Sequence, residues 1–404
     1  MRVVELTSEW TRFAGRLLVG LGHQVVLVEP PADDHHLRED AIQFAHWNAG
    51  KASVVAPFDP MSDALAVLLD GADALLDGRP AAEVSDTEQV ARRFPHLVHV
   101  AVTPFGRTGP SAGWAATDLT VAAAGGMLAQ VGHPDTPPLQ LPHQQAEQLA
   151  GANAAIGALL GDAARARTGR GQFIDVSAQE CVAASLEAGA LTWIHTDEVR
   201  PRPGDTHPLV PHRLFIAADG YLAGGLGGSP RMWSPLVRWM GEHGAAQDLE
   251  QPRWDDPSER ARHRDHILGV VGQFAAQWPR NTFAAEGQSR RLPWAAVQPP
   301  DELLANPQLV ARDVLQEVVL GDGRVAIDLG LPFLPAAGRP TRLTVHDRGA
   351  DDELLSDTRG ADAQLTGQSF APGPTAPTLD GIRVLDLTWV LAGPYATKIG
   401  RSWR

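Results

Sequence analysis

Cysteine is almost absent from this chain. Cys181 stands alone among 404 residues, which excludes an intramolecular disulfide framework and fits a reducing compartment. With no His or Asn at a recognisable spacing, it reads as a buried structural thiol. No apolar run approaches the roughly 18 residues of a membrane span. Positive charge is also scarce: 34 Lys and Arg against 48 Asp and Glu leave a formal charge of −14, the wrong sign for a nucleic-acid surface. The opening MRVVELT reads directly as a strand with no signal peptide, so a soluble, cytoplasmic protein is expected. His35-His36 has no third residue at ligand spacing, and no metal is expected.

What the chain has in plenty is small residues in one place. From Glu147 onward, Gly151, Ala154, Ala155, Gly157, Ala158, Gly161 and Ala164 recur at helical spacing, up to a stop at Thr168-Gly169-Arg170-Gly171. Phe173-Ile174-Asp175-Val176 then reads as a strand. Each glycine inside a helix costs up to about 1 kcal/mol against alanine, so a close approach of another backbone or a ligand must compensate. A helix N-terminus favours negative charge, so Glu147 in the first turn is either a solvated acid or an ionised nucleophile.

The chain opens as a βαβ unit. Val3-Val4-Glu5-Leu6 is a strand, Thr7 or Ser8 caps a helix through Phe13, Leu17 and Leu21, and Val25-Val26-Leu27-Val28 is the next strand. This pattern predicts a Rossmann-like α/β fold with parallel strands. No G-x-G-x-x-G separates the two strands, so an NAD site would rest on Glu29 alone. Further strands are expected at Ala74–Asp77 and Leu97–Val102. Pro201, Pro203, Pro208 and Pro211 mark a linker, and Asp219-Gly220 between apolar runs predicts a hairpin opening a smaller α+β domain. Gly321-Asp322-Gly323 predicts another hairpin.

Several of these stretches together resemble the family III CoA-transferases (CaiB/BaiF), whose members include formyl-CoA transferase and carnitine CoA-transferase. That family carries an Asp four residues before a Gly, ahead of an Ala-rich helix and a T-G-[RK]-G-[QE]-x-[IV]-D turn and strand. Glu147, Gly151 and Thr168–Asp175 occupy those positions. Asn48-Ala49-Gly50-Lys51 resembles the family's N-[RK]-G-K segment at the CoA adenine and phosphates, with Arg38 nearby. Phe105-Gly106-Arg107-Thr108-Gly109-Pro110 resembles its G-[FY]-G-x-x-G-P loop. Two turns depart from the pattern. Trp10-Thr11-Arg12-Phe13 replaces most of the family's A-G-P turn, and Asp77-Gly78-Arg79-Pro80 lacks the Asn and final Gly of its phosphate turn. Thr117-Asp118 stands where the family's racemases carry His-Asp, and Thr cannot serve as the second proton-transfer base.

The resemblance implies a discontinuous Rossmann-like large domain over 1–200, a small α+β domain over 205–330 and a return to the large domain over 331–360. It implies CoA transfer from an acyl-CoA to a carboxylic acid, with Glu147 as the catalytic carboxylate and Arg38, Asn48, Lys51, Gly106 and Arg107 binding CoA. Coenzyme A thioester enters as substrate, with no permanently bound cofactor, and the expected assembly is an interlocked homodimer.

Residues 361–378 are rich in Ala, Pro, Thr and Gly and read as a linker. Beyond it, Arg383-Val384-Leu385-Asp386-Leu387-Thr388 repeats Arg2-Val3-Val4-Glu5-Leu6-Thr7, followed by an intact Ala392-Gly393-Pro394. Residues 379–404 thus read as the start of a second family unit in a tandem fusion. The second function class follows: this half is a degenerate structural partner, paired intramolecularly with an active unit.

Overall fold

The computed structural model describes residues 1–31, 36–84, 86–199, 201–205, 212–225, 230–335, 338–356, 383–388 and 392–402. His35, the end of the proline-marked linker, and the 361–378 linker lie outside the described residues. The chain forms two compact units: Met1–Met127 with Leu141–Leu191 and Gln308–Arg404, and Leu128–Gln140 with Thr192–Pro307.

The first unit alternates strands and helices: β1 (Arg2–Leu6), α1 (Arg12–Gly20), β2 (Gln24–Glu29), α2 (His36–Glu39), α3 (Ala41–Asn48), β3 (Ala52–Val55), α4 (Asp63–Asp70), β4 (Ala74–Asp77), α5 (Thr87–Arg93), β5 (Val98–Thr103), α6 (Asp118–Ala124), α7 (Gln145–Thr168), β6 (Phe173–Ser177) and α8 (Ala178–Ser185). The strands form one six-stranded sheet in the order β3-β2-β1-β4-β5-β6, parallel throughout. This is the doubly wound order expected when the sheet is covered on both faces, and β4 is buried along its whole length. Leu65, Leu68 and Leu69 of α4 pack with Val4, Leu6 and Leu75 on one face. On the other, Gly157 and Gly161 of α7 bring that helix onto Val98, Val100 and Ile174. The small-residue stripe is therefore a packing surface. Its alanines 150, 154 and 158 are completely buried.

One boundary differs from expectation. The first helix begins at Arg12, not at a cap on Thr7 or Ser8, because the Ser8 carbonyl already accepts from the amides of Thr11 and Arg12 in a preceding turn.

In the second unit, β7 (His212–Ala217) and β8 (Gly220–Gly225) form the hairpin that Asp219-Gly220 predicts, and β9 (Trp294–Ala296) joins its edge. Trp233, Trp239, Trp254, Phe274, Phe283 and Trp294 fill its core. The chain re-enters the first unit at Gln308. There β10 (Leu315–Val319) and β11 (Val325–Leu329) form the second hairpin, and β12 (Arg342–Thr344) runs parallel to β10. Val318, Leu320 and Val345 pack against Leu27, Phe44 and Ala45.

Candidate active site

The N-terminus of α7 is built under strain. His143 and Gln144 both hold positive φ, 63° and 44°, a conformation costing non-glycine residues of the order of 1–3 kcal/mol each. Gln144 gives the helix no side-chain cap. Asp118 does so instead: its Oδ1 accepts from the amides of Ala146 at 2.8 Å and Glu147 at 3.1 Å. The carboxylate of Asp118 is thereby held where the helix dipole favours it, and Thr117 and Thr120 cap its own helix α6.

Glu147 is buried in the first turn of α7. Arg12, the first residue of α1, donates from Nη2 to Glu147 Oε2 at 2.6 Å. The same guanidinium lies 4.9 Å from the centre of the Trp47 ring, and Phe13 meets that ring edge-on. Burial pushes the Glu147 carboxyl up to about 7; Arg12 pulls it down, while Asp118 and Glu9 push it further up. Loss of hydration thus outweighs the pull of the arginine. Near neutral pH the group exists in both forms, so it can give or take a proton or attack as an anion.

The residues expected at CoA fall into three places. Lys51 is completely buried, its Nζ 2.7 Å from Glu5 Oε2, donating to Asn48 Oδ1 at 2.9 Å and to the Arg12 carbonyl at 3.2 Å. Asn48, also buried, donates to the Phe44 carbonyl. In this structure these two residues therefore brace the start of α1 from within and present no cation or amide outward. Arg38 grips Glu29 with both edges of its fork, at 2.7 and 2.8 Å, and stacks on Phe44; about a quarter of its side chain is open. Burial opposes ionisation of Glu29, but bonds from Arg38 and Ser53 hold its carboxyl below the usual range. Gly106, at φ 83°, turns the chain after β5. Arg107 then donates to the Val84 carbonyl and stacks on Phe173. Arg79, in the departed phosphate turn, is bound by Asp77 and Asp86.

The structure thus joins Lys51 and Asn48 to Glu147 through Arg12, while no contact links Arg38 or Arg107 to Glu147 among the described residues. Arg12 and Asp118 are the two partners that sequence reasoning missed. Arg12 lies 135 positions from Glu147, and its one signal was a charge inside a turn otherwise expected to be Ala-Gly-Pro. Among the described residues, no group of three or more His, Cys, Asp or Glu side chains could hold a metal ion. No helix there is long and apolar enough to cross a membrane.

The chain is 30% identical over 338 residues to the succinyl-CoA:(R)-benzylsuccinate CoA-transferase subunit of Thauera aromatica, covering 78% of this chain and 82% of that one. It is 28% identical over 417 residues to a probable CoA-transferase of Mycobacterium tuberculosis, covering 96% of this chain but 50% of that relative. The crystal structure of a CAIB/BAIF family protein from Brucella suis superposes with a TM-score of 0.77 at 23% identity, over 88% of this chain and 97% of that one, and establishes the fold. The model of CoA-transferase family III matches residues 1–346, and the chain belongs to that family.

Proposed function

We propose that this protein moves CoA from an acyl-CoA to a free carboxylic acid, with Glu147 as the attacking carboxylate. A Glu147 oxygen adds to the thioester carbonyl and expels CoA thiolate, leaving a mixed anhydride on the enzyme. The thiolate returns to the Glu147 acyl carbon and releases the donor acid. The acceptor carboxylate then repeats the sequence in reverse order, and Glu147 is regenerated. One observation carries this reading: a largely buried carboxylate at a strained helix N-terminus, with its proton affinity raised to about 7. The extra methylene of Glu against the family's Asp displaces the nucleophile by about 1 Å, which can cost on the order of a hundredfold in rate. The relative from Thauera supports a succinyl donor as the first to try. The test is mass spectrometry of the intact protein after incubation with succinyl-CoA and other acyl-CoAs. An adduct mapped to Glu147 and lost in Glu147→Gln supports the reading; adduct-free protein with every donor defeats it.

A second reading has its own support. Arg12 occupies Glu147, and Lys51 is sealed against Glu5. Residues 383–388 repeat the start of the chain, and the mycobacterial relative is about twice as long as the aligned region. On this reading 379–404 begins a second unit of a tandem fusion, and the present half is its structural partner. Activity of the tandem protein would then survive Glu147→Gln. Either reading is compatible with a cytoplasmic protein that pairs with a second unit, as interlocked homodimer or within one chain. Sedimentation velocity distinguishes the two assemblies.

A further inference from the structure

Arg12 holds one oxygen of Glu147 and leaves the other free. Its Nη2 donates to Oε2 at 2.6 Å, while Oε1 accepts no hydrogen bond among the described residues and is not sealed from solvent. The guanidinium is 4.9 Å from the centre of the Trp47 ring, and Lys51 Nζ donates to the carbonyl of the same arginine at 3.2 Å. Gly15 leaves room for that lysine: a methyl group there would fall 2.7 Å from Lys51 Nζ. The amides of Ala146 and Glu147 at the start of α7 are already engaged by Asp118. In the chain's own repeat, Gly393 follows Thr388 at the distance at which Arg12 follows Thr7, so the turn itself does not need an arginine.

The two oxygens of Glu147 part company once it has attacked. Oε1 makes the new bond and becomes the bridging oxygen of the mixed anhydride, and Oε2 becomes the carbonyl oxygen on Glu147 Cδ. CoA thiolate then adds to Cδ: a sulfur lone pair forms the S–Cδ bond, and the Cδ=Oε2 π pair moves onto Oε2. Collapse re-forms that double bond, breaks Cδ–Oε1 and expels the donor acid with Oε1. The acceptor carboxylate next adds to the same carbon, charges Oε2 again and expels CoA thiolate. Before each addition Oε2 is a neutral carbonyl oxygen, and in each tetrahedral intermediate it carries a full negative charge. A cationic donor already seated on Oε2, in a site where both side chains are largely dehydrated, favours the charged state over the neutral one without rearrangement.

We propose that Arg12 is a catalytic residue, the oxyanion donor for the two additions that take place at the Glu147 carbonyl carbon. Oε1 is the attacking atom and is exchanged for an acceptor oxygen in each cycle, while Oε2 stays on Arg12. In the additions at the acyl carbons of donor and acceptor the charge develops on a different oxygen, and Arg12 is not their donor. This role rests on Glu147 being the nucleophile.

The experiment isolates one of the two additions. The full chain is loaded with succinyl-CoA, or with whichever acyl-CoA gives the most adduct, at a pH well above the Glu147 titration. Excess donor is removed, and the Glu147–CoA thioester, identified by intact mass, is chased with the free acid of the same donor. Glu147 is acylated at this stage, so its proton affinity does not enter the rate. Arg12→Met is expected to slow the chase by about a hundredfold or more, and Arg12→Lys, which keeps the charge without the fork, recovers part of it. A variant that stalls with the acyl group in place of CoA on Glu147 supports the role as well. Circular dichroism checks folding, and Arg12→Gln replaces Arg12→Met if the latter does not fold. A CoA adduct discharged at the wild-type rate in Arg12→Met overturns the role of Arg12 and leaves Glu147 as the nucleophile. Loss of every adduct in that variant alone places the arginine in the first attack and also overturns the proposal. Adduct-free wild-type protein with every donor defeats the nucleophile reading and this role together.

Discussion

Gly151 of α7 lies directly against the backbone of Ala14 in α1: a methyl group at 151 would sit 3.0 Å from the Ala14 amide nitrogen and 2.8 Å from Phe13 Cβ. One helical turn before Gly151 is Glu147, and two residues before Ala14 is Arg12. The closeness of the two helices at this glycine is what allows the short Arg12–Glu147 contact, so packing and chemistry share one cause.

Enlarging that position should separate them. Gly151→Val is expected to destabilise the protein by about 1–3 kcal/mol through overpacking, with the denaturation midpoint in urea as the readout. If the crossing sets the ion pair, the same variant also loses reactivity of Glu147 toward acyl-CoA. Unchanged stability and unchanged labelling would separate the crossing from the site.

The Glu147 proton should be visible in a pH profile. With its carboxyl raised from 4.5 to about 7, the rate of adduct formation should rise with pH through about 7 and level off above it. Removing the cation in Arg12→Gln takes away the strongest force holding the value down, so the midpoint moves to higher pH. For stability the sign is the opposite of an ordinary ion-paired acid. The raised value favours folding fully below 4.5, and this contribution is lost as pH rises through about 7.

Lys51 and Glu5 should behave as a buried pair. Lys51→Met alone strands the Glu5 carboxylate in the interior and is expected to cost about 3–5 kcal/mol. The double replacement Lys51→Met with Glu5→Leu should recover most of that loss, as read from a double-mutant cycle in chemical denaturation. Additive losses would show that the two do not act as a unit.

Asp77 predicts the acid limb. It is buried between His99 Nε2 at 2.9 Å and the Arg79 fork. Burial alone would raise its carboxyl, but bonds from His99 and Arg79 take it down to about 2. Its stabilisation is present above 3.8 and is lost as pH falls through about 2. Asp77→Asn should therefore unfold at higher pH than the wild-type protein in an acid titration followed by circular dichroism, and the two curves should differ least near pH 2. Coincident curves at all pH values would refute the assignment.

The parallel sheet, the long small-residue helix and both Gly-containing hairpins were legible in the sequence because each depends on neighbours along the chain: an apolar run, a helical period, a turn that needs glycine. The position of Glu147 was legible for the same reason, at a helix start. Its partners were not. Lys51 in a Gly-Lys turn looks like an exposed cation until Glu5, on the buried side of β1, is brought to it across the sheet.

The repeated hexapeptide separates local from tertiary determination most clearly. Arg2–Thr7 and Arg383–Thr388 share the same alternation of polar and apolar residues, and by pattern alone both are strands. In the first, Val3, Val4 and Leu6 are fully buried, because β2 and β4 flank the segment and satisfy its amides and carbonyls. In the second, Val384 is 60%, Leu385 83% and Leu387 85% exposed, with no strand assigned at 383–388. Order along the chain determined which segments are able to become strands or helices. Tertiary structure alone decided which did, which charges were buried in pairs, and that an arginine would meet Glu147, since a backbone hydrogen bond or an ion pair exists only where folding supplies the other half.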